Sequence, residues 1–424
     1  MQPRPVGRLV WLLILLFSTT AFSRNGNAED WPAWRGPRLD GVSKERNVPL
    51  TWSADRNIRW KSEIPGVGHS SPIVFSEAIF LTNADPESLE RSLFRLDRRT
   101  GQIVWRRPLF KAEFEKMHKN NTPASATPST DGERVYVTFC DGDQLYLGAF
   151  AFEDGSPLWE VRPGGFVSQH GFHTCPVISN GRLFLNGQQD SEEAFVAMLD
   201  ARTGRVDWKV PRGRAGRSFS TPMVITVGGQ EQLVLSGATE TVGYRTTDGT
   251  VLWRLDGPAE KTVSSLVFDG ERVFVAGGRD GKLFALEPGG RPDQPDVRIV
   301  WQGTRGIPYI SSPLMVDDIL HVVSDEGVYT RYQPKTGKIL LQKRLAGTTS
   351  SSLVAAAGRV YLTDESGKTV VVSSGPEFKI LATNELHDPV FASIAISEGE
   401  LFLRGRNHLY CIHDPSSAEQ AASD

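Results

Sequence analysis

The densest gathering of chemically useful side chains is the stretch SQHGFHT, Ser168 to Thr174, which places His170 and His173 three residues apart. A metal reading of the two imidazoles needs a third ligand, which His69 or His118 could supply. The stretch is a glycine-bearing loop and not a zinc motif, so hydrogen-bonded loop histidines are the alternative reading. A wider set stands just before runs of small residues: His69, His170, Phe172, His173, Arg217, Phe219, Tyr309 and Asp388. Imidazole, aromatic and guanidinium groups brought to one place would suit an anionic, sugar-like or peptide ligand. Other chemistry is thin. There is no Gly-x-Ser-x-Gly elbow, no His-Glu-x-x-His and no phosphate loop. Gly277 to Gly281 reads as a hairpin turn between two strands. No catalytic residue and no metal ligand set is assigned.

What would bring such residues together is a repeat. LDRRTGQIVW (Leu96 to Trp105) returns as LDARTGRVDW (Leu199 to Trp208), and in variant form up to Trp159, Trp253, Trp301, Leu341 and Leu381. The copies end about 40 to 54 residues apart, the period of a stacked or radial repeat with four short strands per unit. A second phrase runs in step: small hydroxyl residues, usually a proline, then two apolar runs around a polar turn. It starts near His69, Ser125, Thr174, Ser220, Ser264, Ser311, Ser351 and Ala392, giving eight inner hairpins. Ser70, Ser71, Thr127, Ser220, Thr221, Ser311 and Ser312 are small enough for a crowded axis, and the residues just before them should ring one mouth of a central channel.

The turn phrase follows seven hairpins but not the eighth. The missing strand is NIRWKSEI, Asn57 to Ile64, ahead of the first hairpin. Pairing it into the last sheet closes the ring and leaves no open end. The fold class expected is therefore all-β: an eight-bladed β-propeller of four-stranded antiparallel blades, closed by an N-terminal strand that completes the last blade. Within the phrase, Asp97 to Gly101 makes a tight turn in which Asp and Thr bond nearby backbone and Gly takes positive φ. Ile103 and Trp105 share one strand face and Val104 the other, and both faces should be apolar because blades cover one another. Trp60, Trp105, Trp159, Trp208, Trp253 and Trp301 are the expected wedges, each burying roughly 150–250 Å². At ~25 cal/mol per Å² that is several kcal/mol of gross stabilisation per blade.

The Asp-x-x-Thr-Gly-x-x-x-Trp phrase resembles the PQQ-like, or quinoprotein, propeller repeat over nearly the whole chain, from about Asn57 to Asp414. The opening DWPAWRGPRLDGVS (Asp30 to Ser43) with GHSSP is similar to a group of secreted bacterial propellers of that family. The resemblance implies either a quinoprotein alcohol dehydrogenase carrying pyrroloquinoline quinone or a non-catalytic scaffold of the BamB type. The family's enzymes hold the quinone between a Trp floor and a disulfide of adjacent cysteines, with Ca²⁺ on Glu, Asn and Asp. No Cys-Cys pair occurs here and the acidic residues sit mostly in turns, so neither PQQ nor Ca²⁺ is expected.

The remaining features set the context. Arg4 and Arg8 precede the apolar run Leu9 to Phe17, and small residues at Gly26 and Ala28 suit cleavage after Ala28, with Ala21 as a rival site. Residues 1–28 thus read as an export signal, 29–56 as a Trp- and Pro-rich segment packing on the propeller, 57–414 as the propeller and 415–424 as a disordered tail. The run is too short to span a bilayer and no other is longer, so the mature chain is expected to be soluble in the periplasm or beyond. Cys140, Cys175 and Cys411 lie in or beside apolar runs and read as buried small side chains. A net charge of −3 on 424 residues offers nucleic acid nothing. The function expected is that of an exported, monomeric, non-enzymatic module whose partner is an envelope protein or a small polar ligand. The alternatives are a PQQ-dependent dehydrogenase, or a carbohydrate-active or metal-assisted enzyme at the histidine mouth.

Overall fold

A computed structural model describes residues 29–213, 216–237, 239–259, 261–278 and 281–415. The expected leader, 1–28, and all but the first residue of the expected tail lie outside them. The chain forms eight four-stranded antiparallel sheets arranged as an eight-bladed propeller. Blade 1 spans 73–111, blade 2 129–161, blade 3 177–211, blade 4 223–256, blade 5 267–303, blade 6 314–344 and blade 7 354–385. Blade 8 has three C-terminal strands, Ala395–Ser397, Glu400–Arg404 and His408–His413, and its outer strand is Ile58–Glu63. There Trp60 faces Cys411 and Lys61 faces Tyr410. The ring is closed as the repeat count requires.

The turn phrase is a docking joint between blades. In blade 1 the Asp97 carboxylate accepts both the amide and the hydroxyl of Thr100, each at 2.8 Å. Gly101 follows at φ +71°. The indole of the preceding blade lies flat on that glycine: a Cβ at Gly101 would stand 2.4 Å from Cε3 of Trp60. Trp105 lies likewise on Gly155, Trp159 on Gly204, Trp208 on Gly249 and Trp301 on Gly337. Each of these indoles also donates its N–H to a turn carbonyl of the next blade: Arg98 (2.8 Å), Glu153 (2.9 Å), Ala201 (3.1 Å), Thr246 (3.0 Å) and Pro334 (2.7 Å). Blade 5 has an altered turn, and there the joint is indirect. Trp253 donates to Gln232 (2.7 Å), whose amide passes the link to the Gly289 carbonyl (2.9 Å).

One expectation is corrected. The outer strands carry apolar residues near the turn but are not covered on both faces. Ile103 is 40% and Val104 53% exposed, and Leu158, Ile299, Leu340 and Ile380 behave alike. A bulge between Ile103 and Trp105 breaks the face they were expected to share, and the sheets diverge towards the rim, so from Trp105 onward only the Trp side of this outer strand reaches a neighbour. Trp208 and Trp253 are buried, while Trp60, Trp105, Trp159 and Trp301 are half-buried.

Residues 29–56 form a strap across the ends of the inner strands. Trp31 exchanges backbone bonds with Val74 of blade 1 (2.7 and 2.9 Å), and the Pro32 carbonyl accepts from Thr130 of blade 2 (2.9 Å). Leu39 packs among blades 3 to 5. Gly41 and Ser43 bond to Ala355 of blade 7. Glu45 is buried and receives the amides of Glu398 and Gly399 at the inner turn of blade 8. Trp31 and Trp52 are buried in this strap.

Candidate functional site

Each innermost strand runs from the mouth residues, past a pair of small residues, to the end that the strap covers. The pairs build the channel wall. In blades 1 and 7 the first hydroxyl turns back on its own blade: Ser70 donates to the Thr82 carbonyl (3.2 Å) and Ser351 to that of Thr363 (2.6 Å), whereas the hydroxyls of Ser220 and Ser311 have no partner among the described residues. The second reaches the neighbour. The Ser71 amide donates to the Thr127 hydroxyl (2.9 Å), Thr127 to the Cys175 sulfur (3.3 Å), and Thr221 to Ser265 (2.8 Å). Ser265 donates to Ser312 (2.9 Å), Ser312 to Ser352 (3.0 Å), Ser352 to Ser393 (3.0 Å) and Ser393 back to Ser71 (2.9 Å). Between blades 3 and 4 the link differs: there the Thr221 hydroxyl stands within hydrogen-bonding reach of the Cys175 sulfur. These residues were expected only to fit a tight axis. They also form a belt that satisfies buried amides at seven of the eight blade junctions. Cys175 stands where the other blades carry a hydroxyl, and burial pushes its thiol up to about 11. All three cysteines are free and buried.

The channel holds a cavity of about 900 Å³. Trp34 of the strap lines it, with the buried Arg35 guanidinium 5.8 Å from the indole and bonded to the carbonyls of Asp40 and Pro313. The exposed His118 and Asn120 line it too, on the mouth side. The result is a cup: the belt is its wall and Trp34 of the strap lines its far end.

The expected mouth residues divide. His69, His170, His173, Phe219 and Tyr309 line the cup. His69 stacks on Phe391 (4.3 Å) and His173 on Phe219 (5.1 Å), while the rings of His118 and His170 lie parallel at 6.1 Å. Arg217 sits just behind, paired to Asp190 at 2.7 Å and 3.4 Å from His170 Nε2. Two residues are placed elsewhere. Phe172 is buried against Phe166 (5.1 Å) in the core between blades 2 and 3. Asp388 is buried in blade 8, accepting from Asn407, His408 and Tyr410. The loop position that predicts a mouth residue does not fix which way its side chain turns. The sequence reading missed Trp34, Lys261, Glu326, Glu365 and Phe391, which also line the cup. Apart from Trp34, their signal was the same one, a place just before an inner strand or in the loop after a second strand.

His69, His170 and His173 are neutral near pH 7. Burial, reinforced by Arg404 and Arg406, drives His69 down to about 3, and burial alone takes His173 to about 4. His170 is lowered by burial and then by Arg217 and Lys261. Neutral rings stacked on phenyl faces offer hydrogen bonds and flat apolar area, not charge. Among the described residues no three His, Cys, Asp or Glu side chains gather as a metal site. Nor do the lining residues fit pyrroloquinoline quinone as the enzymes hold it. Cys175 is the one thiol on the cup and is tied into the belt. Glu326 and Glu365 accept from Ser324 and Ser350, and with Asp325, which also lines the cup, they do not gather as a metal site.

The family described as "Outer membrane protein assembly factor BamB" matches residues 89–301 and 291–375 of the chain. The chain is 24% identical over 274 residues to outer membrane protein assembly factor BamB of Yersinia pestis, 58% of this chain and 63% of that protein. It thus spans less than two thirds of that relative's length. The structure of BamB from Moraxella catarrhalis superposes with a TM-score of 0.59 at 10% identity, covering 84% of this chain and 99% of that one. Quinohemoprotein alcohol dehydrogenase from Comamonas testosteroni gives 0.63 at 12% identity, covering 91% and 81%. At such identities the structural likeness is one of fold. Among the described residues no helix is long and apolar enough to cross a membrane.

Proposed function

Because this chain belongs to the family of PQQ-like propellers described as outer membrane protein assembly factor BamB, we propose that it is a non-enzymatic binding or assembly module of the cell envelope. In this reading it is exported and works as a monomer, and its partner engages the mouth face. The observation that carries the reading is the cup. Trp34 of the strap lines its far end, the second hydroxyls of its wall are committed to holding blades together, and its rim carries neutral imidazole–phenyl pairs. Such a rim suits a protruding loop or a small polar ligand, recognised by flat apolar contact and a few hydrogen bonds. Neither quinone nor Ca²⁺ belongs to this proposal.

Two experiments test it. Purified protein titrated with pyrroloquinoline quinone and Ca²⁺ should show no new absorbance and no dye-linked alcohol oxidation; either response would return the chain to the dehydrogenases. Capture from envelope extracts should retain a partner with the natural chain and lose it with His170→Ala and His173→Ala together. Undiminished recovery with the double variant would move the interface off the mouth.

A further inference from the structure

Beside the cup, where blades 8, 1 and 2 meet, lies a second hollow of about 200 Å³. It is lined by Lys119, Arg406, His69, Asn120 and Gly68, among others, and by no acidic residue. Lys119 and Arg406 are exposed, and among the described residues neither has a carboxylate within ion-pair reach. Arg406 is held over the Phe391 ring at 5.8 Å, and Phe391 carries His69 on its other contact. The guanidinium is thus fixed by stacking while its N–H groups stay available.

A third cation stands behind the wall. Arg404 is fully buried, and its guanidinium lies against Gly68, where a Cβ would come within 2.5 Å of it. It donates to the Ser70 hydroxyl (2.7 Å), the Thr82 carbonyl (2.9 Å) and the Asn83 side chain (2.8 Å), while its Nε has no partner. All its partners are neutral. Burial lowers its pKa to about 9 with no carboxylate opposing, and the same positive field depresses His69. A buried charge without a counter-charge is costly. Blade closure explains the hydrogen bonds of Arg404 but not why its charge, with two more beside it, is left uncompensated.

We propose that this hollow is an oxyanion subsite, taking the carboxylate or phosphate group of a ligand that reaches the mouth of the cup. Lys119 and Arg406 donate to the anion directly, the Asn120 amide adds a neutral donor, and Arg404 holds the potential positive from behind. The hollow, at about 200 Å³, has room for one such group together with several waters at about 30 Å³ each. The identity of the ligand rests on the reading of the mouth as the binding face; the anion site itself does not.

The test uses the full mature chain and free anions. Sodium phosphate and sodium acetate are each titrated calorimetrically against a chloride control of equal ionic strength. Phosphate, acetate or both should bind. Lys119→Ala and Arg406→Ala should each weaken binding roughly tenfold or more, and Arg406→Lys should retain part of it. Both side chains are exposed, so the variants keep the fold. Tighter phosphate binding assigns a phosphorylated ligand, and tighter acetate a carboxylate such as a peptide terminus. No heat beyond the chloride control, or binding in both alanine variants as tight as in the natural chain, overturns the proposal. Partner capture that survives such a result would leave the envelope reading standing.

Discussion

Two glycines with the same backbone conformation separate the cost of the conformation from the cost of the joint. Gly181 and Gly204 both have φ +72°; a Cβ on Gly181 meets nothing within 4 Å, whereas one on Gly204 stands 2.5 Å from Cε3 of Trp159. Replacing either with alanine incurs a left-handed backbone cost of about 1–2 kcal/mol. A stiffer unfolded chain offsets about 0.4–1 kcal/mol of it. Gly181→Ala should therefore destabilise by about 1 kcal/mol. Gly204→Ala must also lift the indole. That stretches the Trp159–Ala201 hydrogen bond, 3.1 Å in the structure, a loss of about 1 kcal/mol. Re-exposing roughly 60 Å² of ring and wall at ~25 cal/mol per Å² adds about 1.5 kcal/mol. The expected total is about 3–4 kcal/mol. Urea unfolding followed by Trp fluorescence reads both variants. In a Trp159→Leu background the Gly204→Ala cost should fall to that of Gly181→Ala. Equal costs for the two glycines in the natural background would refute the docking argument.

Other expectations follow from single positions. Cys175→Ser keeps an acceptor for the Thr127 amide and should leave stability within about 0.5 kcal/mol, while Cys175→Ala strands that amide and should cost about 1–3 kcal/mol; urea midpoints distinguish the two. Trp31→Ala removes a buried anchor of the strap and should cost about 3–5 kcal/mol. Trp34→Ala removes only part of the cup lining, so in parallel thermal melts it should cost less than half as much. His321 is buried, bonded to Tyr329, and held down to about 3 by burial and Arg331. The unfolded chain takes up its proton first, so the stability it confers is present above pH 6.5 and is lost as pH falls towards 3. The natural chain should lose roughly 1.4 kcal/mol per pH unit more than His321→Gln between pH 6 and 4; parallel slopes would show that this ring is not the sensor.

The fold was legible because its signals are local and repeated. A turn such as Asp97–Gly101 is written in five residues, and eight hairpins with one missing strand leave Asn57–Ile64 a single place to go. The site was less legible because it depends on contacts between blades. The hydroxyl pairs could be seen, but the belt exists only where Ser393 meets Ser71. Cys175 looked like a small apolar residue because its role is set by blades 2 and 4. Phe172 and Asp388 occupy mouth-like loop positions, yet the core between blades 2 and 3 takes one and the Tyr410 hydroxyl the other. The exposure of Ile103 and Val104 follows from the bulge before Trp105 and the splay of the sheets, which no local pattern encodes. That Trp34 lines the channel needed the strap's path across blades 1 to 8.

Synthesis is vectorial, and the last sheet borrows its outer strand from the front of the polypeptide. Ile58 emerges from the ribosome early and must wait until Ile412 has been made before it has a neighbour. During that interval seven sheets can assemble into an open arc with a free flank at either end, and an unsatisfied flank is an invitation to aggregate. A nascent chain of this design therefore needs shelter until its final residues appear, and a truncation that removes only His408–His413 should cripple the whole ring, not merely its end.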